Sequence, residues 1–348
     1  MDQLLNIMRA LADPTRLRIT LLIRQLELSV GELVQILGQS QPRVSRHIRI
    51  LDESGIVERR KEGSWVFLRP GPILTSGLVD ALLALANPLN SRATQRDLAK
   101  LQEVRTTRAE FAARYFAEHA NSWDDLRTLH IAESEVESAM QQILATAPMG
   151  RTLDVGTGTG RMIELFADQA SGFTAIDNNV EMLRIARSKL SDLNFAADGA
   201  GNEKPSVEIM LGDFNKLPLA DNAYDTILFH QVLHYAQAPE NVIAEAARVL
   251  APNGRIMIVD FAPHAHEELR TAHAHARLGF EDSTINTAFD INGLHSIMQS
   301  TLDGGELIVK IWVGQKPNIP DRATEIANAP AASTTPILTP ASKLRIVS

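Results

Sequence analysis

The segment 152–161 carries the residues best suited to hold a ligand. The apolar run Thr-Leu-Asp-Val leads there into glycines at three alternate positions, Gly156, Gly158 and Gly160. Glycine lets the backbone approach a ligand closely and adopt positive φ angles. In a doubly wound α/β sheet, such a turn lies at the carboxyl end of the first strand, where ligands bind. The spacing therefore predicts a ligand-binding loop, with the Asp154 carboxylate just before it.

Polar side chains also end the following strands of the same region. Asp177 closes an apolar run about twenty residues beyond the glycines, where a carboxylate can accept hydrogen bonds from both hydroxyls of a ribose. Asp213 and Phe214 follow the third strand, and His230 and Gln231 follow the fourth. A nicotinamide dehydrogenase is the competing interpretation, but its loop has a different glycine spacing. We expect these side chains to converge on one ligand that contains a ribose.

Histidines are the candidate proton acceptors, because their pKa lies near neutral pH. The candidates for a catalytic base or a substrate contact are His230, His234 and His266. His266 and His273 are seven residues apart and could share a helix face, so a substrate or metal pocket and a solvated polar helix both stay open there. His273 and His275 cannot chelate from one helix face at a spacing of two. We assign no metal site.

A second group of polar residues lies in the first seventy residues, on a helix that follows a turn. In a helix-turn-helix motif, the second helix enters the major groove of DNA with its N-terminal residues at the base edges. Val44, Ile48 and Leu51 recur at helical spacing and predict a buried face. The side chains left pointing outward or flanking this face are Ser40, Gln41, Arg43, Ser45, Arg46 and Arg49.

These outward residue types suit DNA. Glutamine pairs with adenine and arginine with guanine, and serine and arginine also bind phosphate. A basic hairpin containing Arg59, Arg60 and Lys61 is placed to reach the DNA backbone or minor groove as a wing. The alternative is an ordinary three-helix bundle whose polar face is solvated.

The charge distribution agrees with DNA contact at one end of the chain. The 348 residues have a net charge of −8, yet residues 1–70 hold 11 Lys and Arg against 8 Asp and Glu, a net +3 that leaves −11 for the rest. The absence of cysteine excludes disulfides, thiolate metal sites and cysteine nucleophiles. No apolar run is long enough for a membrane span and no secretory signal is evident, so we expect a cytoplasmic protein.

Hydrophobic periodicity places the two groups on different scaffolds. Helices over 3–25, 30–37 and 40–54 precede a hairpin of two short strands, 57–60 and 65–68. Further helices are predicted over 73–86, 92–118 and 130–146. Beyond residue 150, strands alternate with helices, which is typical of a doubly wound α/β fold. The predicted strands are 152–155, 173–176, 207–211, 226–229, 255–259 and 307–313.

The first module resembles the ArsR/SmtB group of winged-helix repressors over about residues 3–85. The resemblance rests on Ala-Asp-Pro-Thr-Arg-Leu-Arg-Ile at 12–19 and Ser-Gln-Pro-Arg-Val-Ser-Arg-His-Ile at 40–48. It implies a homodimer formed through terminal helices, with 73–86 as our candidate partner surface, and a two-fold operator DNA with half-sites about one helical turn apart. Arsenic-sensing members carry Cys-Val-Cys where Ser29 and Gly31 stand here, so their soft-metal inducer is not expected.

The second module resembles class I S-adenosylmethionine-dependent methyltransferases over about residues 150–315. The resemblance implies that the glycines wrap S-adenosyl-L-methionine or S-adenosyl-L-homocysteine, and that Asp154 approaches its amino-acid end. Asp177 would hold the ribose, Asp213 and Phe214 would bracket the adenine, and the residues after the fourth strand would line the sulfonium side. The complete set assigned to the cofactor is Asp154, Gly156, Thr157, Gly158, Gly160, Asp177, Asn178, Met182, Asp213, Phe214, His230 and Gln231, with Tyr115 and Trp123 as lid aromatics.

Together these patterns predict a winged helix-turn-helix of the α+β class joined by helices to a Rossmann-like α/β domain. The predicted boundaries are 1–88 for DNA binding and dimerisation, 89–148 for a helical linker and lid, 149–316 for the methyltransferase domain and 317–348 for a disordered tail. We expect a transcriptional regulator whose methyltransferase domain modulates DNA binding or methylates a small molecule. The alternatives are a self-regulated small-molecule methyltransferase, whose acceptor the sequence does not identify, and a catalytically silent cofactor sensor.

Overall fold

The computed structural model describes residues 2–62, 65–74, 79, 82–83, 91–124, 133–192, 206–303 and 306–318. Residues Met1–Pro317 form one compact unit. The predicted tail 317–348 lies outside the described residues from 319 onward, and the predicted helix 73–86 is described only in part. No helix within the described ranges is long and apolar enough to cross a membrane.

The N-terminal region folds as the predicted helices and hairpin. Its helices are α1 (Asp2–Leu11), α2 (Pro14–Ile23), α3 (Val30–Leu37) and α4 (Gln41–Glu53). Its strands are β1 (Leu28–Ser29), β2 (Val57–Glu62) and β3 (Trp65–Pro70). They form an antiparallel sheet in the order β1-β3-β2. Packing of these four helices on a hairpin and a short third strand produces the winged helix-turn-helix expected from the sequence.

Local signals explain where these helices begin and end. The Asp13 carboxylate is the N-cap of α2 and accepts hydrogen bonds from the backbone N–H groups of Thr15 and Arg16 at 2.9 and 3.0 Å. Ser29 and Glu32 form a reciprocal capping box at the start of α3. Gly38 ends α3 with a φ of +63°. The turn between α3 and α4 is therefore set by sequence.

The predicted dimer helix 73–86 contributes to the core of its own domain. Leu74, Val79 and Leu83 are each at most 5% exposed and pack in the winged-helix core. These three side chains are thus not available to a partner, and the segment's role as a partner surface stays a prediction for its other faces. Leu82 is partly buried against the same core, and the other residues between 75 and 90 lie outside the described ranges.

The described part of the predicted linker 89–148 contains two α-helices. They are α5 (Arg92–His119) and α6 (Glu133–Leu144). The first half of α5 packs on α2 and α3, where Arg18 binds Asp97 at 2.7 Å and Lys100 donates to the Gln35 carbonyl at 3.1 Å. α6 instead packs on the sheet of the following domain. The winged helix is therefore fixed along one side of α5.

A seven-stranded sheet forms the second scaffold. Its strands are β4 (Arg151–Val155), β5 (Gly172–Asp177), β6 (Ser206–Leu211), β7 (Tyr224–His230), β8 (Leu250–Phe261), β9 (His295–Asp303) and β10 (Ile308–Gln315). Their order is β6-β5-β4-β7-β8-β10-β9. The first five strands in this order pair in parallel, and β10 is antiparallel to both of its neighbours. The order reverses beside β4, so the loop after β4 lies at the switch point where ligands bind.

Helices cover both faces of this sheet. They are α7 (Arg161–Phe166), α8 (Val180–Asp192), α9 (Pro239–Val249), α10 (Glu267–Ala272) and α11 (Asp282–Ile291). Two apolar clusters, one on each face, bury Trp312 and Phe229 on one side and Phe166 and Phe173 on the other. The architecture is the doubly wound α/β fold that the sequence predicted.

The sequence did not predict strand β9. It lies at one edge of the sheet and pairs only with β10 in the described sheet. Five successive residues, 295–299, are exposed, so the strand lacks the alternation of apolar and polar residues by which a half-buried strand is recognised. Strand β1 also escaped prediction because its two residues are too short to show any period.

Candidate ligand cavity and nucleic-acid interface

The glycine-rich loop after β4 has a backbone that only glycine adopts easily. Gly156, Gly158 and Gly160 have φ angles of +75°, +56° and +91°. A Cβ atom on Gly156 would lie 2.2 Å from Cγ2 of Val232, so a larger residue would not fit. Gly160 caps α7 and packs against Ala186. The loop leaves its backbone open to a cavity at the end of the sheet.

Asp177, at the end of β5, is held by backbone donors. Its carboxylate accepts hydrogen bonds from the N–H groups of Gly158 at 2.9 Å and Asn179 at 2.8 Å. Burial raises the pKa of Asp177, and these backbone hydrogen bonds oppose the rise. The carboxylate is therefore fixed in orientation beside the glycine loop and keeps lone pairs for further donors.

Asp154, near the end of β4, is a buried acid. Burial raises its pKa to about 7; the Asp177 charge adds to the rise, and the Thr157 hydroxyl opposes it. Neither carboxylate oxygen makes a hydrogen bond of normal geometry with the described residues. Buried polar atoms of this kind are rare in folded proteins and indicate a missing partner, such as a cationic ligand group.

Aromatic rings from the end of α5 cover the cavity. The Phe116 ring lies 5.4 Å from Trp123 and 4.7 Å from Tyr235, centroid to centroid, in both cases edge to face. The covering segment is tied to the glycine loop, since the Thr159 hydroxyl donates to Asp124 at 2.7 Å. Residues 125–132 of the predicted linker and lid lie outside the described residues.

The cavity has a volume of about 250 Å³ and gathers nearly all residues predicted to bind the cofactor. Those that line it are Tyr115, Trp123, Asp154, Gly156, Thr157, Gly158, Asp177, Asn178, Met182, Asp213, Phe214, His230 and Gln231. Gly160 is not part of the lining. Gln231 has a φ of +52°, a strained backbone for a residue other than glycine. Such strain is concentrated at binding sites.

Of the three histidines proposed as bases, two line the cavity. His230 and His234 do so, and His234 is buried with its Nδ1 2.8 Å from Oδ1 of Asp260. His266 does not line the cavity: its side chain is 41% exposed and binds Glu268 at 2.9 Å. His266 is therefore placed at the surface, beside the Glu268 carboxylate.

The histidines after β8 divide between surface and cavity. His273 lines the cavity, where its Nδ1 lies 2.8 Å from the Tyr115 hydroxyl, while His266 points away, so the two do not face one site. His275 stacks on His234 at 4.0 Å and also lines the cavity. Burial lowers the pKa of His264 to about 4, which keeps that ring neutral at physiological pH.

Arg108, on α5, lines the same cavity and reaches the winged helix. Its Nη2 donates to both oxygens of Glu32 at 2.6 and 2.7 Å, and its Nη1 donates to Oε1 of Gln237 at 2.6 Å. Glu32 lies on α3, the first helix of the helix-turn-helix motif. One guanidinium thus joins the cavity wall to the predicted DNA reader.

The predicted recognition helix is α4, and its apolar and polar residues lie on opposite faces, as expected. Val44, Ile48 and Leu51 are buried in the winged-helix core. The predicted contacts are exposed: Ser40, Gln41, Arg43, Ser45, Arg46 and Arg49, together with Arg59 and Lys61 on β2. Ser40 begins α4 without a side-chain cap hydrogen bond, so its hydroxyl is open to other partners.

Arg60 differs from the other predicted DNA contacts. Its Nε donates to Oε1 of Glu27 at 2.8 Å, and its guanidinium also lies over the Phe67 ring. Glu27 is buried and binds Arg277 of the α/β domain as well. Arg60 is therefore directed toward the domain interface and not toward solvent, because successive side chains of a strand point to opposite faces.

Comparison with known proteins identifies the first module. Residues 13–59 match the family model of bacterial regulatory proteins of the arsR family. The arsenic resistance transcriptional regulator ArsR1 of Pseudomonas putida is 41% identical over 99 residues, which are 28% of this chain and 77% of that protein. The chain belongs to the arsR family. Its winged helix-turn-helix is that of a DNA-binding regulator.

The second half of this arsR-family chain matches a different family. Residues 153–258 match the model of a methyltransferase domain. Demethylmenaquinone methyltransferase of Renibacterium salmoninarum is 28% identical over 130 residues, 37% of this chain and 49% of that enzyme. The chain thus spans about half the length of that curated relative. The YcgJ structure from Bacillus subtilis, 19% identical, covers 53% of this chain and 99% of its own with a TM-score of 0.44.

The arsR-family chain therefore joins a DNA-binding regulatory domain to a methyltransferase domain, as the sequence led us to expect. Sequence reasoning missed Arg108, Glu32 and Asp260 as residues of interest. Asp260 had a usable signal, since it is the last residue but one of β8, much as Asp177 ends β5. Arg108 and Glu32 carry no motif, and only the packing of α5 between the domains brings them together.

Proposed function

We propose that this protein is a transcriptional regulator whose affinity for operator DNA depends on S-adenosylmethionine or S-adenosylhomocysteine in the cavity. The observation that supports this most is helix α5. Its first half packs on the helix-turn-helix motif through Asp97 and Lys100, and its second half lines the cavity through Arg108 and Tyr115. A ligand that orders or shifts one end of a rigid helix acts on the other end as well.

The residues of the cavity fit this ligand. The buried, unpartnered carboxylate of Asp154 suits the ammonium group of the amino-acid end, and Asp177 suits the ribose hydroxyls. The aromatic cover of Phe116 and Trp123 suits a cation such as a sulfonium. When bound, S-adenosylmethionine supplies an electrophilic methyl group.

The DNA partner in this proposal is a two-fold operator read by a homodimer in the cytoplasm. Helix α1 favours a dimer, because Leu4, Leu5 and Met8 are each more than 40% exposed on it. In a dimer, the exposed Arg43 and Arg46 of each α4 would meet successive major grooves. The mass of the protein in solution, measured by light scattering, tests the dimer independently of any ligand.

Reciprocal binding tests the proposal. Calorimetry would give the dissociation constant of S-adenosylhomocysteine for the full chain, with and without a duplex that the protein has selected from a random-sequence library. If the two ligands are coupled, saturating duplex changes this constant by at least about fivefold. Equal constants would contradict the proposal. Asp177→Ala is the control, since it should remove binding of the small ligand and leave the duplex bound.

Methyl transfer to a small molecule is a second candidate function, favoured by His234. Asp260 accepts the proton of His234 Nδ1 at 2.8 Å and so fixes the ring with Nε2 as the basic atom. Nε2 has no hydrogen-bond partner within the described ranges. Transfer of a labelled methyl group to a metabolite extract tests this function. His234→Gln should abolish transfer and retain S-adenosylhomocysteine binding, and transfer at the wild-type rate would contradict a role as base.

A further inference from the structure

Arg108 and Arg161 are the permanently charged cations among the described residues that line the cavity. The guanidinium of Arg161 is paired with two carboxylates: it donates to both oxygens of Glu137 at 2.6 and 2.7 Å and to Glu164 at 2.8 Å. Arg108 donates to one carboxylate, that of Glu32, and otherwise to neutral acceptors: the Gln237 amide oxygen at 2.6 Å and the Glu27 backbone carbonyl at 3.4 and 3.5 Å. Arg108 is therefore the cation of this cavity that can change partner without leaving two acids unpaired.

Glu32 has a second partner that stays with it. The backbone N–H and the hydroxyl of Ser29 donate to its Oε2 at 2.7 and 2.8 Å, within the capping box of α3. Loss of Arg108 would therefore not unfold the start of α3. It would leave there a carboxylate without its cation, in a side chain that is about one-fifth exposed.

The start of α3 borders the DNA-reading face. Ser29, Val30 and Gly31 line one surface groove together with Gln41 and Ser45 of α4. A negative charge that is released beside these residues repels the phosphates of a bound duplex. The state of the Arg108–Glu32 pair thus bears directly on DNA affinity.

We propose that the carboxylate of the ligand's amino-acid end replaces Glu32 as the partner of Arg108, and that the freed Glu32 lowers DNA affinity. A ligand carboxylate offers the guanidinium the same paired acceptors as Glu32. The inference rests on the proposed function. It specifies the contact that couples the two sites, the Arg108–Glu32 pair, and the direction of the effect, a loss of DNA affinity when the ligand binds. It also defines the ligand class as nucleosides that carry an α-amino acid.

Two ligands separate this route from other kinds of coupling. S-Adenosylhomocysteine carries the amino-acid carboxylate, whereas 5′-methylthioadenosine keeps the adenosine and the thioether and lacks it. At fixed salt, saturating S-adenosylhomocysteine should weaken binding of the full chain to the selected duplex by about tenfold, a usual size for allosteric coupling. Saturating 5′-methylthioadenosine should leave DNA affinity unchanged.

Glu32→Gln is the decisive variant, because glutamine also completes a capping box but carries no charge to release. It should bind S-adenosylhomocysteine and lose the tenfold response. Lys100→Gln is its matched control: it removes a cation that joins α5 to the end of α3 at the Gln35 and Ile36 carbonyls, away from the cavity, and should keep the full response.

The outcomes distinguish the two proposals. A wild-type protein whose DNA affinity does not change with S-adenosylhomocysteine contradicts both. A wild-type response that 5′-methylthioadenosine reproduces, or that Glu32→Gln retains in full, contradicts the exchange of carboxylates and leaves the regulatory function standing. Response to S-adenosylhomocysteine alone, lost in Glu32→Gln and kept in Lys100→Gln, supports the exchange.

Discussion

The carboxylate of Glu27, just before β1, binds the guanidinium of Arg277, which belongs to the loop after α10 of the methyltransferase domain. The two residues are 250 positions apart, and both side chains are 8% exposed. Burial alone would raise the pKa of Glu27, but the charges of Arg277 and Arg60 outweigh it and lower the pKa below its usual range. This ion pair fastens the wing side of the DNA-binding domain to the methyltransferase domain.

Removal of one partner should therefore cost stability. We expect Arg277→Met to lower the free energy of unfolding by about 3 kcal/mol, because it leaves a buried carboxylate with Arg60 as its remaining cation. Urea denaturation of the full chain at neutral pH measures this. Glu27→Gln combined with Arg277→Met should cost less than the sum of the single changes. Additive costs would show that the two side chains are not coupled.

Affinity for the small ligand should depend on pH through Asp154. This carboxyl has a pKa of about 7 in the ligand-free protein, well above its usual range, so it is largely neutral at pH 6 and ionised at pH 8. A cationic group on the ligand binds the ionised form. We therefore expect S-adenosylhomocysteine affinity to rise between pH 6 and 8, by at most about tenfold per pH unit.

Asp154→Asn provides the control for this pH dependence. An amide cannot ionise, so calorimetry on this variant should give weaker binding that no longer rises from pH 6 to 8. A rise as steep as that of the wild type would assign the titration to another group. The free energy of unfolding changes with pH in the opposite direction to ligand affinity. Because folding raises the pKa of this carboxyl, its ionisation destabilises the fold as pH increases toward 7. Asp154→Asn should therefore stabilise the ligand-free protein at pH 8.

A methyl group added to the glycine loop should damage the cavity. Gly156→Ala imposes a left-handed backbone on alanine and places Cβ against Val232, so we expect a loss of about 2 kcal/mol or more and of ligand binding. Gly38→Ala is the matched control, since its φ is also positive but nothing lies within 4 Å of the added carbon. Gly38→Ala should lose only the stability that the strained backbone costs, and it should keep ligand binding. Wild-type ligand affinity in Gly156→Ala would refute the assignment of this loop.

The two arginines at positions 46 and 60 should differ in their effect on DNA binding. Arg46 is exposed on α4, whereas Arg60 is bound to Glu27. Arg46→Ala should weaken duplex binding by at least about fivefold. Arg60→Ala should leave the salt dependence of binding unchanged, because it removes no phosphate contact. Fluorescence anisotropy over a range of salt concentrations measures both, and the reverse order of effects would contradict the placement of the wing.

The sequence predicted those parts of the site that depend on local pattern. Asp154, Asp177 and the glycines could be assigned because the ends of parallel strands meet at one edge of a sheet. The pairing of Arg108 with Glu32 could not, since 76 residues separate them and neither lies in a motif. Tertiary packing of α5 alone decides that contact.

The histidines show the same limit. His230 ends β7, His234 follows it, and both reach the cavity, as their position at the end of a strand suggested. The seven-residue spacing of His266 and His273 allowed a shared helix face, but α10 is only six residues long. Both histidines lie beyond its ends, so the helical period does not apply to them.

The central claim is that the occupant of the methyltransferase cavity sets the DNA affinity of the winged helix. The most direct test is the dissociation constant of the selected duplex at one salt concentration, with and without saturating S-adenosylhomocysteine, for the wild type and for Asp177→Ala. The account predicts about tenfold weaker DNA binding with the ligand in the wild type and no change in Asp177→Ala. Equal constants in the wild type, with calorimetry showing the ligand bound, would contradict it.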